Sequence, residues 1–169
     1  MLPPPPIDRT PLLEARALAG NNKTPDAIRL LKRTLDDPRH RAIWSEVLIE
    51  KIRLLANSGQ SAQAVRLAER SARTVEFRHM EHELLWWTVI LYAGPENNLE
   101  RAIARAQTLS QKHPADSNDI YVEQAAYALG IMNRWNNNRG RARRALEEYL
   151  RRYENGRYAE AAQKYLKEL

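Results

Sequence analysis

Four sets of side chains in this 169-residue sequence have types and spacings that chemistry uses. His79 and His82 stand three apart around Glu81, the local spacing of a metal site, but no third ligand is in view and the remaining histidines are His40 and His113. His79 and His82 both lie near a helix start, where surface histidines are common, so no metal is expected. Glu46, Glu50 and Glu123 have the right chemistry for the acids of a carbohydrate-active enzyme, yet nothing places two of them together. Cysteine is absent, which removes a thiolate zinc site and a cysteine nucleophile. No glycine-rich phosphate loop or nucleophile elbow occurs either. The reading is therefore non-enzymatic, with no catalytic residue and no cofactor. The third set is the basic cluster Arg139, Arg141, Arg143, Arg144, Arg151, Arg152 and Arg157, whose first four members are candidate anion contacts to nucleic acid or anionic lipid. Glu147 and Glu148 precede Arg151 and Arg152 by four residues, the favourable order for helix ion pairs, so a solvated helix face is the preferred reading. The fourth is Trp86-Trp87. Neighbours on a helix differ by about 100°, so the two rings cannot enter the same interface.

These residues need elements to hold them, and the composition points to helices. Hydrophobic residues make up 43% of the chain against six glycines, a globular balance. Lys and Arg total 27 against 21 Asp and Glu, and the +6 charge is a mild attraction toward anions. No apolar run approaches the roughly 18 residues that span a bilayer, and no secretory leader is seen. The protein is thus read as cytosolic, or as a soluble piece, cytoplasmic or periplasmic, cut from an exported or membrane-anchored parent. Residues 1–9, with Pro3 to Pro6 in a row, read as a linker, and 10–169 as one helical repeat domain.

Thr10-Pro11 and Thr24-Pro25 read as helix starts with the hydroxyl as cap, and Gly20 and Pro38 as stops. A longer helix is expected over 39–58, closed by Gly59, with a small-residue partner beginning at Ser61 and reaching Val75. Residues 81–114 form the most legible hairpin: an apolar helix, a break at Gly94-Pro95, then Ala102 and Ala106 one turn apart, with Pro114 as stop. A fourth hairpin is expected, with Asn118 as cap and a polar turn at Asn136 to Asn138, followed by a last amphipathic helix over 158–169. No stretch alternates with period two, so no sheet is expected.

Ala27, Ala64, Ala102 and Ala142, each opening a second helix, recur at spacings of 37 to 40 residues, the mark of a helical solenoid. Trp86, Val89-Ile90, Ala102, Ala106 and Pro114 follow the order of the tetratricopeptide repeat, and Ala126, Leu129-Gly130 and Ala142 keep it in the next unit. The chain resembles the tetratricopeptide repeat (TPR) family. Residues 145–162 look like the repeat junction of bacterial envelope-assembly members, with Glu154 where proline is usual. The resemblance departs from the family in the absence of an aromatic in the first unit, in Lys51, and in the long spacing.

The resemblance implies an all-α, right-handed α-α superhelix, a TPR-like solenoid of about four helical hairpins plus a C-terminal capping helix. It also implies a concave groove lined by Glu46, Ile49, Arg53 and Ala56, then by Leu84, Trp87 and Leu91, then by Gln124, Tyr127, Ile131 and Arg134, with Arg16 in the first unit. Trp86 is then expected inside its hairpin, against the helix of Ala102 and Ala106, and Trp87 in the groove or under a neighbouring hairpin. The function expected is a non-catalytic protein-protein interaction scaffold that holds a protein or peptide partner in this groove, within a bacterial envelope, secretion or polysaccharide-export assembly. The alternative is a basic helical adaptor on nucleic acid or anionic membrane, nucleic acid being disfavoured.

Overall fold

The computed structural model describes residues 6–112 and 119–169. Among these, every regular element is helical and none is a strand. The chain divides into two compact units, Met1–Leu67 and Ala68–Leu169. Pro114 and Asn118, read as a stop and a cap, lie outside the described residues, as does His113.

In the first unit α1 (Thr10–Gly20) packs on α2 (Thr24–Asp36), a 3-10 turn covers Pro38–Ile43, and α3 (Trp44–Asn57) packs on α2. The next helix, α4 (Ser61–Ser71), crosses the boundary between the units. Leu12, Ala15, Ala27, Leu31, Ile43 and Val47 form the core of the first unit. Thr10 and Thr24 do not cap their helices. Arg9 and Lys23 hold the cap positions without a side-chain bond, and the prolines fall within the first two helical positions, where a missing N–H costs nothing. Nor is 39–58 one helix. Asp37 accepts the Arg39 N–H at 3.0 Å and Pro38 follows it, so the chain enters a tighter turn before α3. The Trp44 indole donates to the Thr34 carbonyl at 3.1 Å and ties that turn to α2.

The second unit opens with another 3-10 turn, Val75–Met80, so Val75 lies beyond α4 and is exposed. Then come α5 (Glu81–Ala93), α6 (Leu99–Ser110), α7 (Ile120–Trp135), α8 (Arg139–Arg152) and α9 (Ala159–Lys167), each packed on the next. The cap of α7 is Asp119, whose carboxylate accepts the N–H groups of Tyr121 and Val122. Burial acts to raise the Asp119 pKa, but bonds from His82 and from these two amides outweigh it and leave the carboxyl below its ordinary value. Asn98 and Asn138 cap α6 and α8 in the same manner.

One turn device recurs after each first helix. Asn22, Gly59, Asn97 and Asn137 all have positive φ, between 47° and 76°. The following amides reach back to Leu18, Leu55, Tyr92 and Asn133 carbonyls, at 2.9, 2.8, 2.7 and 2.8 Å. Glycine and asparagine are the residues that tolerate this conformation. The alanines that recur along the sequence are all fully buried, so the period marks positions where neighbouring helices leave no space for a larger side chain. Gly130 marks the tightest point. A Cβ placed there would lie 2.4 Å from the Cγ of Leu146, which is itself buried, so α7 and α8 touch backbone to side chain.

Two expectations follow. Gly130→Ala gains up to about 1 kcal/mol of helix propensity but incurs roughly 1–3 kcal/mol of overpacking against Leu146, so its urea midpoint should fall, and a Leu146→Val background should recover part of the loss. An unchanged midpoint would mean that the helices are not in this contact. The Arg39 side chain and N–H hold the Asp37 carboxyl down at about 2, against an ordinary 3.8. A carboxylate depressed in this way contributes stability above its unfolded pKa, and the contribution is lost as pH falls from about 5 toward 2. Thermal melts of wild type and Asp37→Asn should therefore differ at neutral pH, with the difference shrinking below about pH 4 and closing only as the pH approaches about 2; parallel curves would remove Asp37 from the acid response.

Candidate functional site

An apolar concavity of the second unit lies between α5 and α7. Trp86, Val89, Ile90 and Ala93 repeat at three- and four-residue spacing along α5, and Gln124, Tyr127, Ala128, Ile131 and Trp135 do the same along α7. The two stripes face each other across a groove of about 460 Å³, with Tyr158 against it. Its lining is almost wholly apolar yet open to solvent, for Trp135 is 63% exposed and Ile90 40%.

A polar assembly around the buried Tyr149 sets the position of Tyr158. Glu123 on α7 accepts the Tyr149 hydroxyl at 2.7 Å and the Arg157 N–H at 2.6 Å. The Tyr149 oxygen in turn accepts the Tyr158 N–H at 2.9 Å. This clasp draws the loop after α8 so close that a Cβ on Gly156 would come within 2.6 Å of both Glu123 and Tyr149, which is why the loop carries glycine there. Tyr158 then stacks flat on Tyr127, with centroids 4.7 Å apart, and its hydroxyl accepts from Gln124 at 3.1 Å. Tyr149 meets the edge of Tyr127 at 5.6 Å. Burial pushes the phenols of Tyr127, Tyr149 and Tyr153 above their ordinary pKa, and for Tyr149 the bond to Glu123 adds to it. These three phenols stay neutral across the physiological range.

The groove residues implied by the resemblance fall in several places. Gln124, Tyr127 and Ile131 line the groove, whereas Arg134 is half-buried at the end of α7 and off its lining. Leu84 and Leu91 are inside the core, 0% and 1% exposed. Trp86, expected inside its hairpin, is half-buried and lines the groove, while Trp87 is half-buried and off this lining. The cause is the composition of α5, which is apolar at every helix angle from Leu84 to Tyr92 save Thr88 and offers no polar face to fix its rotation. The lining also takes in Ile90, on the same ambiguous surface of α5, and Trp135, at the end of α7. Each lies one turn beyond a groove residue, Trp86 and Ile131, and that spacing is the signal that finds them.

In the first unit the implied positions carry charge. Glu46 pairs with Arg9 at 2.9 Å. Glu50 is buried, 5% exposed, and its two oxygens meet Arg16 at 3.4 Å and Arg53 at 2.5 Å. Ile49 and Ala56 are half-buried. With Glu50 held by two guanidiniums and Glu123 by the Tyr149 clasp, both carboxylates are structural in what they touch. Among the described residues no three His, Cys, Asp or Glu side chains gather as a metal site. His82 bonds Asp119 at 2.7 Å, Glu81 pairs with Lys112 at 2.5 Å, and His79 is exposed.

Arg139, Arg141, Arg143 and Arg144 are exposed on the first two turns of α8. The ion pairs expected farther along α8 take another form. Glu148 pairs with Arg151 three residues on, while Arg152 donates to the Ser110 carbonyl at 3.0 Å and lies 5.5 Å over the Tyr153 ring. Compared with protein-family models, with curated proteins and with solved structures, the chain matches none.

Tyr149→Phe tests the clasp. It leaves the Tyr158 N–H without its acceptor and the Glu123 oxygen with the Arg157 N–H alone, and should cost about 1–3 kcal/mol in urea denaturation, with a change in near-ultraviolet dichroism from the tyrosine stack. A variant with both signals unchanged would show that the clasp does not hold Tyr158.

Proposed function

We propose that this protein is a non-catalytic scaffold that holds an amphipathic helix of a partner protein in the groove between α5 and α7. The observation that supports it most is an open, largely apolar groove walled by Trp86, Ile90, Tyr127, Ile131 and Trp135. An extended segment pressed on such walls would leave its own N–H and C=O groups unpaired, at a cost of several kcal/mol in total. A helix satisfies those groups internally and presents an apolar stripe. From Gln124 to Trp135 the wall is roughly 16 Å long at 1.5 Å per residue, which matches about three helical turns of partner. Aromatic side chains at the centre of a contact are the ones that dominate binding energy.

The finer reading of the fold, a right-handed tetratricopeptide-like superhelix of hairpins, belongs to the same proposal and rests on the alanine period and the repeated left-handed turns. Its proposed setting, a bacterial envelope, secretion or polysaccharide-export assembly, rests on the likeness of residues 145–162 alone.

A displayed library of helical and extended peptides tests the occupant. Selected binders should carry apolar residues at i, i+3 or i+4, and i+7. Their affinity should fall about 30-fold or more with Trp86→Ala and at least fivefold with the exposed Trp135→Ala, read by fluorescence titration. Binders with a two-residue alternation, or binders indifferent to both substitutions, would refute the groove as a helix site.

A further inference from the structure

A second cleft of the same unit lies between α6 and α8, on the other side of α7 from the apolar groove. The geometry of α7 requires this, since Leu129 and Asn133 form part of the cleft while Ala128 and Ile131 face the groove. Arg141, Arg144 and Arg152 line the cleft from α8, at offsets of three and eleven residues that return to nearly one helix angle. Gln107 and Gln111 face them from α6. The volume, about 580 Å³, lies within the range that holds a small organic ligand.

The charge here is one-sided. Among the described residues Glu148 is the one acid on the lining, and it is engaged by Arg151. Arg152 is anchored on the Ser110 carbonyl, whereas Arg141 and Arg144 form no ion pair among the described residues. They also stand at the wrong end of their helix. The first turn of α8 has no acid, and Arg139, Arg141, Arg143 and Arg144 face the positive end of the helix dipole and repel one another at three- and four-residue spacing. An anion in the cleft would offset both effects at once.

We propose that the cleft between α6 and α8 binds a phosphate-bearing ligand, with Arg141 and Arg144 as its principal contacts. Several guanidiniums on one cleft favour an anion of more than one charge, and their planar forks match phosphate oxygens in pairs. A lipid headgroup and a soluble phosphorylated molecule present the same chemistry, and the site is independent of the helix-binding groove.

Two probes separate the sources: inorganic pyrophosphate followed by titration calorimetry at low ionic strength, and co-sedimentation with phosphatidylglycerol/phosphatidylcholine vesicles against phosphatidylcholine alone. The decisive comparison is Arg141→Gln/Arg144→Gln against Arg139→Gln/Arg143→Gln, which removes the same charge from the same helix end but not from the cleft. The first double variant should bind at least tenfold more weakly than the second, while its melting temperature holds or rises because unfavourable charges have left the helix start. Pyrophosphate binding assigns a soluble ligand, and vesicle binding alone assigns a headgroup. A gap smaller than tenfold, or binding of neither probe, overturns the proposal.

Discussion

The structure depends on one local constraint, the reversal of the chain through a single left-handed residue after each first helix. Asn22, Gly59, Asn97 and Asn137 each place the next amide over a carbonyl of the preceding turn. That bond satisfies a helix end that would otherwise be orphaned and fixes the angle at which the second helix returns. Within each unit the close contacts follow from this angle. A helix that returns tightly can meet its neighbour only where side chains are small, and the buried alanines and Gly130 occupy those places.

The second unit adds a different kind of constraint at its end. The Glu123 carboxylate gathers the Tyr149 hydroxyl and the Arg157 amide, so a loop without regular structure is held by groups belonging to α7 and α8. The tyrosine stack built on this clasp turns the start of α9 into part of the groove. Polar bonding and aromatic packing thus cooperate: the hydrogen bonds set the backbone, and the rings present an uncharged surface to solvent.

Much of the helical plan is legible in the residues. Glycine at 59, the polar turn at Asn136 to Asn138 and the spacing of Ala27, Ala64, Ala102 and Ala142 announce reversals and contacts because each depends on a steric property of one residue, whereas the turns at Asn22 and Asn97 stand two and three residues beyond the glycines that read as the breaks. What is not legible depends on comparison between faces. In α5 leucines, tryptophans and isoleucine surround the axis, so periodicity cannot say which of Trp86 and Trp87 faces outward; the packing of α6 and α7 decides it. The arginine partners on α8 are obscure for a related reason. Local spacing proposes Glu148 for Arg152, but a carbonyl forty-two residues earlier, on Ser110, takes it instead. Nothing near Arg152 in sequence indicates that oxygen.

The uncharged floor between α5 and α7 has a consequence for how copies of the chain treat one another. A water-facing surface that carries Trp135 and Ile90 is adhesive to any apolar surface, including its own duplicate. The formal charge of +6 opposes such encounters by mutual repulsion, which reaches about 8 Å at physiological salt and shortens as salt rises. Colloidal behaviour is then a balance between one sticky furrow and a diffuse positive envelope. Solutions low in salt favour dispersed molecules, and concentrated salt favours their clustering through the furrow.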